Sequence, residues 1–217
     1  SPRHEIAKVK LNLFASLRLF AIILMSLVLS SCGAMKPLPS DTFYRLRITA
    51  PTAGDTSRTP WTEHLIRVVK FRASGVHRER AIVYSDDASL VVQQHRHHLW
   101  VDSPERMLQQ ELIQYLRSTG VAPLVSSSES RGDGFEIRGE IRQMDQVMQD
   151  GGTRVIVGLA FELVSLSGQP RLILAREYQK SSVTNGKELI ETADALSAAI
   201  EFVFAQFVGD VDELLDK

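Results

Sequence analysis

Val155-Ile156-Val157-Gly158-Leu159-Ala160-Phe161-Glu162-Leu163 sets an apolar side chain at every second position: Val155, Val157, Leu159, Phe161 and Leu163. Successive side chains of a strand point to opposite faces, so this period marks a strand with one face turned to a core. Phe135, Ile137, Gly139 and Ile141 keep the same period just upstream. Strands are therefore expected over 135–144 and 155–166. Ser167-Gly168-Gln169-Pro170 supplies a turn into a third strand over 172–179. Alternation of this kind favours an antiparallel sheet with one covered face.

The period changes after that sheet. Ile190, Ala193, Leu196, Ile200, Val203, Phe204, Phe207, Val211 and Leu214 recur at helical spacing and predict a long helix over 189–215. Such a stripe is more often core than lipid groove. Upstream, Ser103 can cap a helix and Pro104 suits its first position, where the missing N–H costs nothing. Leu108, Leu112, Tyr115 and Leu116 form that helix's apolar stripe, and Gly120 is a natural terminator. Before it, strands are expected over 42–48, 65–71, 81–84 and 89–94, the last two as a hairpin around Ser85-Asp86-Asp87. Residues 51–60 and 126–134 read as polar loops. The order β-β-β-β-α-β-β-β-α implies an α+β fold, a mostly antiparallel sheet with two principal helices packed on one face.

Residues 1–31 have a different character. A basic flank (Arg3, Lys8, Lys10, Arg18) precedes an apolar run from Leu19 to Leu29, too short to span a bilayer and typical of an export signal. An initiator methionine is expected upstream of Ser1. Leu29-Ser30-Ser31-Cys32 reads as a lipobox: a branched apolar residue and two small ones before a cysteine that takes a diacylglycerol group. The bland alternative is a membrane stub with an incidental cysteine, but the chain's single cysteine stands at the one position the motif requires. Cleavage there would leave Cys32 as an acylated first residue, since two or three acyl chains hold a protein firmly where one does not. Gly33 in place of Asp resembles lipoproteins sent to the outer membrane. The expected organisation is a signal peptide at 1–31, a lipidated cysteine and proline-containing tether at 32–41, and a periplasmic domain at 42–217.

Four of the 25 basic groups and one of the 26 acidic groups fall in residues 1–31, which leaves the remainder with a net charge of −4. That balance gives no electrostatic reason to bind nucleic acid. One cysteine excludes an intrachain disulfide and any CxxC site. Strand parity places His95 and His97 on one face and His98 on the other, but no carboxylate stands at ligand spacing, so a solvated edge or a subunit contact is the better reading than zinc. Asp86-Asp87 suits turn work better than acid–base catalysis. The serines at 126–130 lack a G-x-S-x-G frame, and the glycines at 132, 134, 151 and 152 form no phosphate loop. No enzyme, cofactor or metal site is expected. The residues alone end at a tethered binding or assembly domain.

Three segments carry a family likeness. Tyr44-Arg45-Leu46, then Arg80-Ala81-Ile82-Val83-Tyr84, then Leu99-Trp100-Val101-Asp102-Ser103-Pro104 leading into the helix of Leu108, Leu112 and Leu116, resemble in order the ABC-type transport auxiliary lipoproteins, the PqiC/YmbA-like group. The His-rich residues before Trp100 depart from that pattern. The resemblance implies a non-catalytic component of an MCE lipid transport system, anchored at the outer membrane and facing the periplasm. It further implies contact with an MCE-domain protein and ABC transporter components, with a homo-oligomer as an option. Trp100, Tyr84 and Tyr44 are the candidate partner contacts or structural anchors, Trp100 leaning toward core. The alternative is a periplasmic lipid carrier with an apolar cavity.

Overall fold

The computed structural model describes residues 39–49, 51, 59–86, 89–128, 132–184 and 188–216. Cys32, the export segment, most of the tether and of the 51–60 loop, and Asp87 lie outside them. One compact unit runs from Ser40 to Lys217.

The fold is α+β. Its strands are β1 (Thr42–Tyr44), β2 (Leu65–Val68), β3 (Arg72–Ala73), β4 (Ala81–Asp86), β5 (Val92–Trp100), β6 (Leu124–Ser126), β7 (Gly134–Gln149), β8 (Gly152–Ser165) and β9 (Arg171–Thr184). Its helices are α1 (Pro104–Thr119) and α2 (Leu189–Leu215), with a 3-10 turn at Gly75–Arg78. Strand β7 is the spine. β8 lies antiparallel along one of its edges, and β9 lies antiparallel beyond β8. The other edge is tiled end to end by β2, β3 and β4, all parallel to β7. β5 then pairs antiparallel with β4, β1 parallel with β5, and β6 parallel with β2.

The sheet is thus mixed, and the expectation of a mostly antiparallel one needs refinement. The three antiparallel ladders are the long ones, while the parallel pairings join short strands. Residues 65–86 explain the difference. They form one strand-like path broken by a kink after Val68 and by the 3-10 turn, so no single alternating run betrays their direction. The strand expected over 65–71 stops at Val68, that over 42–48 stops at Tyr44, and β6 arises just ahead of the polar loop, where no strand is expected. Conversely β7 and β9 outrun their expected ends by five residues each, because polar residues such as Gln146 and Ser182 continue the ladder where hydrophobicity fades.

Both helices obey their stripes. Leu108, Leu112 and Leu116 of α1 are fully buried, as are Leu196, Ile200, Val203, Phe204, Phe207 and Val211 of α2. Only the stripe's ends, Ile190 and Leu214, escape the sheet and stand exposed. α2 is long and apolar enough by composition to cross a membrane, yet its apolar side is spent on the core. Phe161 of β8 stacks on Phe207 at 4.5 Å between ring centroids and meets Phe71, Tyr178 and Phe204 edge-on. Tyr115 of α1 meets Phe204 of α2, so the two helices and the sheet share one core. Gly120 ends α1 at φ 69°, a left-handed conformation that costs glycine nothing. The Ser103 side chain makes no capping bond; its carbonyl accepts from Arg106 and Met107 instead.

Candidate functional site

The three segments that carry the family likeness converge at one corner of the sheet. Parallel pairing sets Thr42 opposite His98 and Tyr44 opposite Trp100. The Tyr44 carbonyl accepts from the Val101 N–H at 2.8 Å, and the Trp100 N–H donates to the Arg80 carbonyl at 2.6 Å. The Arg80 guanidinium closes the corner: it donates to the carbonyls of Trp100 and Val101 at 2.9 Å each and stands 5.3 Å from the centre of the Phe43 ring. Arg80 therefore joins three segments far apart in sequence. Charge-assisted bonds to carbonyls at the end of a strand are worth more than neutral ones, and a cation over a ring adds to them.

Trp100 is a core residue at 2% exposure. Tyr44 and Tyr84 are half-buried and meet around the histidines. The Tyr44 hydroxyl lies 3.0 Å from His98 Nδ1, and the His95 ring lies 4.4 Å from that of Tyr84. His95 and His98 face each other edge-on at 5.7 Å. His95 Nε2 donates to Gln146 Oε1 at 2.8 Å, and the Gln146 amide donates to Thr192 Oγ1 at 3.1 Å. Hydrogen bonds and one ring contact thus link β1 through β5 and β7 to the first turn of α2.

Strand parity fails here for a visible reason. Ala81 pairs with Leu99 but Val83 pairs with Gln94, so β5 bulges across the histidines. Extra residues in one strand re-aim the side chains that follow. His95 and His98 come together, while His97 turns to the Asp41 carboxylate at 2.9 Å. Burial holds the His95 ring below the ordinary histidine range, with His98 pushing the same way against the bond that His95 donates to Gln146. Burial also raises the Tyr44 hydroxyl, helped by the charge of Glu188. Among the described residues no three His, Cys, Asp or Glu side chains converge as a metal site.

Two further polar groupings lie away from that corner, one of them built on the alternating Glu136, Arg138, Glu140 and Arg142 of β7. On the sheet face away from α2, Arg67, Arg138, Arg72 and Arg142 interleave with Glu136, Glu140, Glu162 and Glu177. Arg72, Arg138, Arg142, Glu140, Glu162 and Glu177 line an open cleft of about 260 Å³. At the β9 edge Arg176 and Tyr178 both donate to Asp210 of α2, at 2.5 and 2.6 Å. Burial pushes the Asp210 carboxyl up, but the bonds from Tyr178 and Arg176 outweigh it and hold the group below its ordinary value. Each of these arginines already has carboxylate partners. The arrangement stiffens a face rather than presenting a reactive group.

No family model and no curated protein matches the chain. Its fold has solved counterparts. A Xanthomonas campestris protein of the family DUF330 is similar at TM-score 0.65 and 15% identity, over 80% of this chain and 96% of that one. An uncharacterized protein is similar at TM-score 0.64 and 15% identity, over 80% of this chain and 99% of its own. At such identity the likeness is one of fold: the domain described here has the architecture of the DUF330 protein.

Proposed function

We propose that the chain is an exported lipoprotein, acylated at Cys32, whose folded part is a non-catalytic auxiliary subunit of an ABC-type MCE lipid transport system at the outer membrane. The observation that carries the reading is the lipobox with the chain's one cysteine at its end. The corner built by Tyr44, Arg80 and Trp100 supports the family likeness, because it gives the shared segments a common physical role in closing β1 and β5 onto the domain. The packing favours docking over carriage. Phe161 of the sheet packs against Phe204 and Phe207 of α2, where a carrier needs an apolar chamber. Tethering raises the domain's effective concentration for a partner at the same membrane.

Affinity capture of the acylated protein from detergent-solubilised envelopes tests this. An MCE-domain protein should co-purify with the parent, and less of it with Cys32→Ser. Capture of the acylated protein with no MCE or ABC component would overturn the transport assignment.

A further inference from the structure

The end of the sheet from which β1 is approached carries an unusual run of exposed apolar side chains. Leu90 is 100% exposed, Val91 60% and Val92 46%, at the tip of the β4–β5 hairpin. Scattered exposed apolar residues are ordinary; three in succession at a projecting turn are not. Met148 and Val183 stand exposed at the same end, since Asp86 pairs with Met148 and Val183 pairs with Arg154 beside the β7–β8 turn.

The direction of the chain links this tip to the N-terminal connection. β1 runs parallel to β5, with Thr42 opposite His98, so the polypeptide enters β1 from the side where β5 begins. His97 holds Asp41 on that line. Four residue steps of β4, from Ala81 to Ser85, separate this level from the start of the hairpin tip, roughly 13 Å at strand rise. Nine peptide steps join Cys32 to Asp41 and reach at most about 30 Å. Such a leash is long enough for an acylated Cys32 to reach past the tip. The opposite end of β7, at Gly134, lies roughly 30 Å the other way along the strand and takes up the whole leash.

We infer that Leu90, Val91 and Val92 form an apolar finger that seats in the interfacial layer of the bilayer holding the acyl chains of Cys32. The inference rests on the lipoprotein reading and deepens it: besides being tied to the membrane, the domain is oriented on it. Apolar burial drives the contact. Asp86 and Asp150 line a cleft beside the tip, so attraction to anionic lipid is not the source. The acyl chains supply the affinity, and a short apolar loop needs only to fix the tilt.

The test uses the full acylated protein in liposomes of phosphatidylethanolamine and phosphatidylglycerol. Leu90→Cys and, as the distant control, Leu172→Cys each introduce a thiol at an exposed site for an environment-sensitive fluorophore; the sulfur of Cys32 is consumed in its thioether. With nitroxide-bearing lipid, emission at position 90 should fall by about twofold or more, in low and high salt alike, while position 172 stays unchanged. Equal quenching at both positions, or shielding of position 90 only when a protein partner is added, overturns the finger. Intact mass separates the two failures. An acylated protein with an unquenched Leu90 probe removes the finger alone, whereas an unacylated Cys32 removes the lipoprotein reading and the finger with it.

Discussion

Gly139 stands on the core face of β7, between Ile137 and Ile141, where the alternating period calls for a large side chain. The ring of Phe71 fills that place: a Cβ on residue 139 would sit 2.3 Å from it. Phe71 is itself buried at 2% exposure and has nowhere to withdraw. Gly139→Ala should therefore cost about 1–3 kcal/mol, readable as a lowered urea midpoint at unchanged slope. Phe161→Ala removes the ring at the centre of the aromatic cluster and should cost about 3–5 kcal/mol. The same period that exposed the core in the sequence could not show Phe71 reaching over Gly139, because that contact spans 68 positions. The histidines were legible as a cluster but misassigned in direction, since a bulge is written in the pairing of two strands and not in either alone. Their titration is testable. His95 is held neutral in the folded state below its ordinary value of 6.5. The unfolded chain therefore binds more protons just below that value, and stability falls as pH drops from about 6.5 through the lowered folded value. A His95→Gln variant should lose part of this acid sensitivity relative to the parent, measured as thermal midpoints between pH 7 and pH 5.

At the scale of elements, one strand organises the rest. β7 carries β8 along its whole length and receives β2, β3 and β4 in turn on its other edge. The long strands and both helices were legible because each presents a full period to one core. The parallel direction of the short strands was not, because it depends on which edge of β7 each one fills. Stability should follow this hierarchy. β1 has three residues, two of them exposed, and hangs on β5 through Arg80 and the Tyr44–His98 bond. Its amides should exchange fastest among the strands, whereas those of β7 and β8 should open only with global unfolding. Hydrogen exchange read residue by residue distinguishes the two. Uniform protection across β1 and β7 would contradict the hierarchy.

In the whole molecule, the described residues form one α+β domain, and the proposed lipid anchor precedes it in sequence. The fold class was readable from periodicity, and the solved structures share its architecture. The corner of Tyr44, Arg80 and Trp100 was visible only as three short motifs in order; the reason for them is that Arg80 clasps the end of β5 beneath β1. Since Trp100 and Arg80 serve the fold, Arg80→Ala should loosen β1 and lower stability by about 1–3 kcal/mol, seen in the same denaturant titration. The proposed function, however, turns on Cys32. Mass spectrometry of the N-terminal peptide from membrane-extracted protein addresses it most directly. The expected peptide begins at Cys32 and carries a diacylglyceryl thioether and a further acyl chain. A peptide that runs through Ser31 into Cys32, with the thiol free, would contradict acylation and the membrane-tethered role built on it.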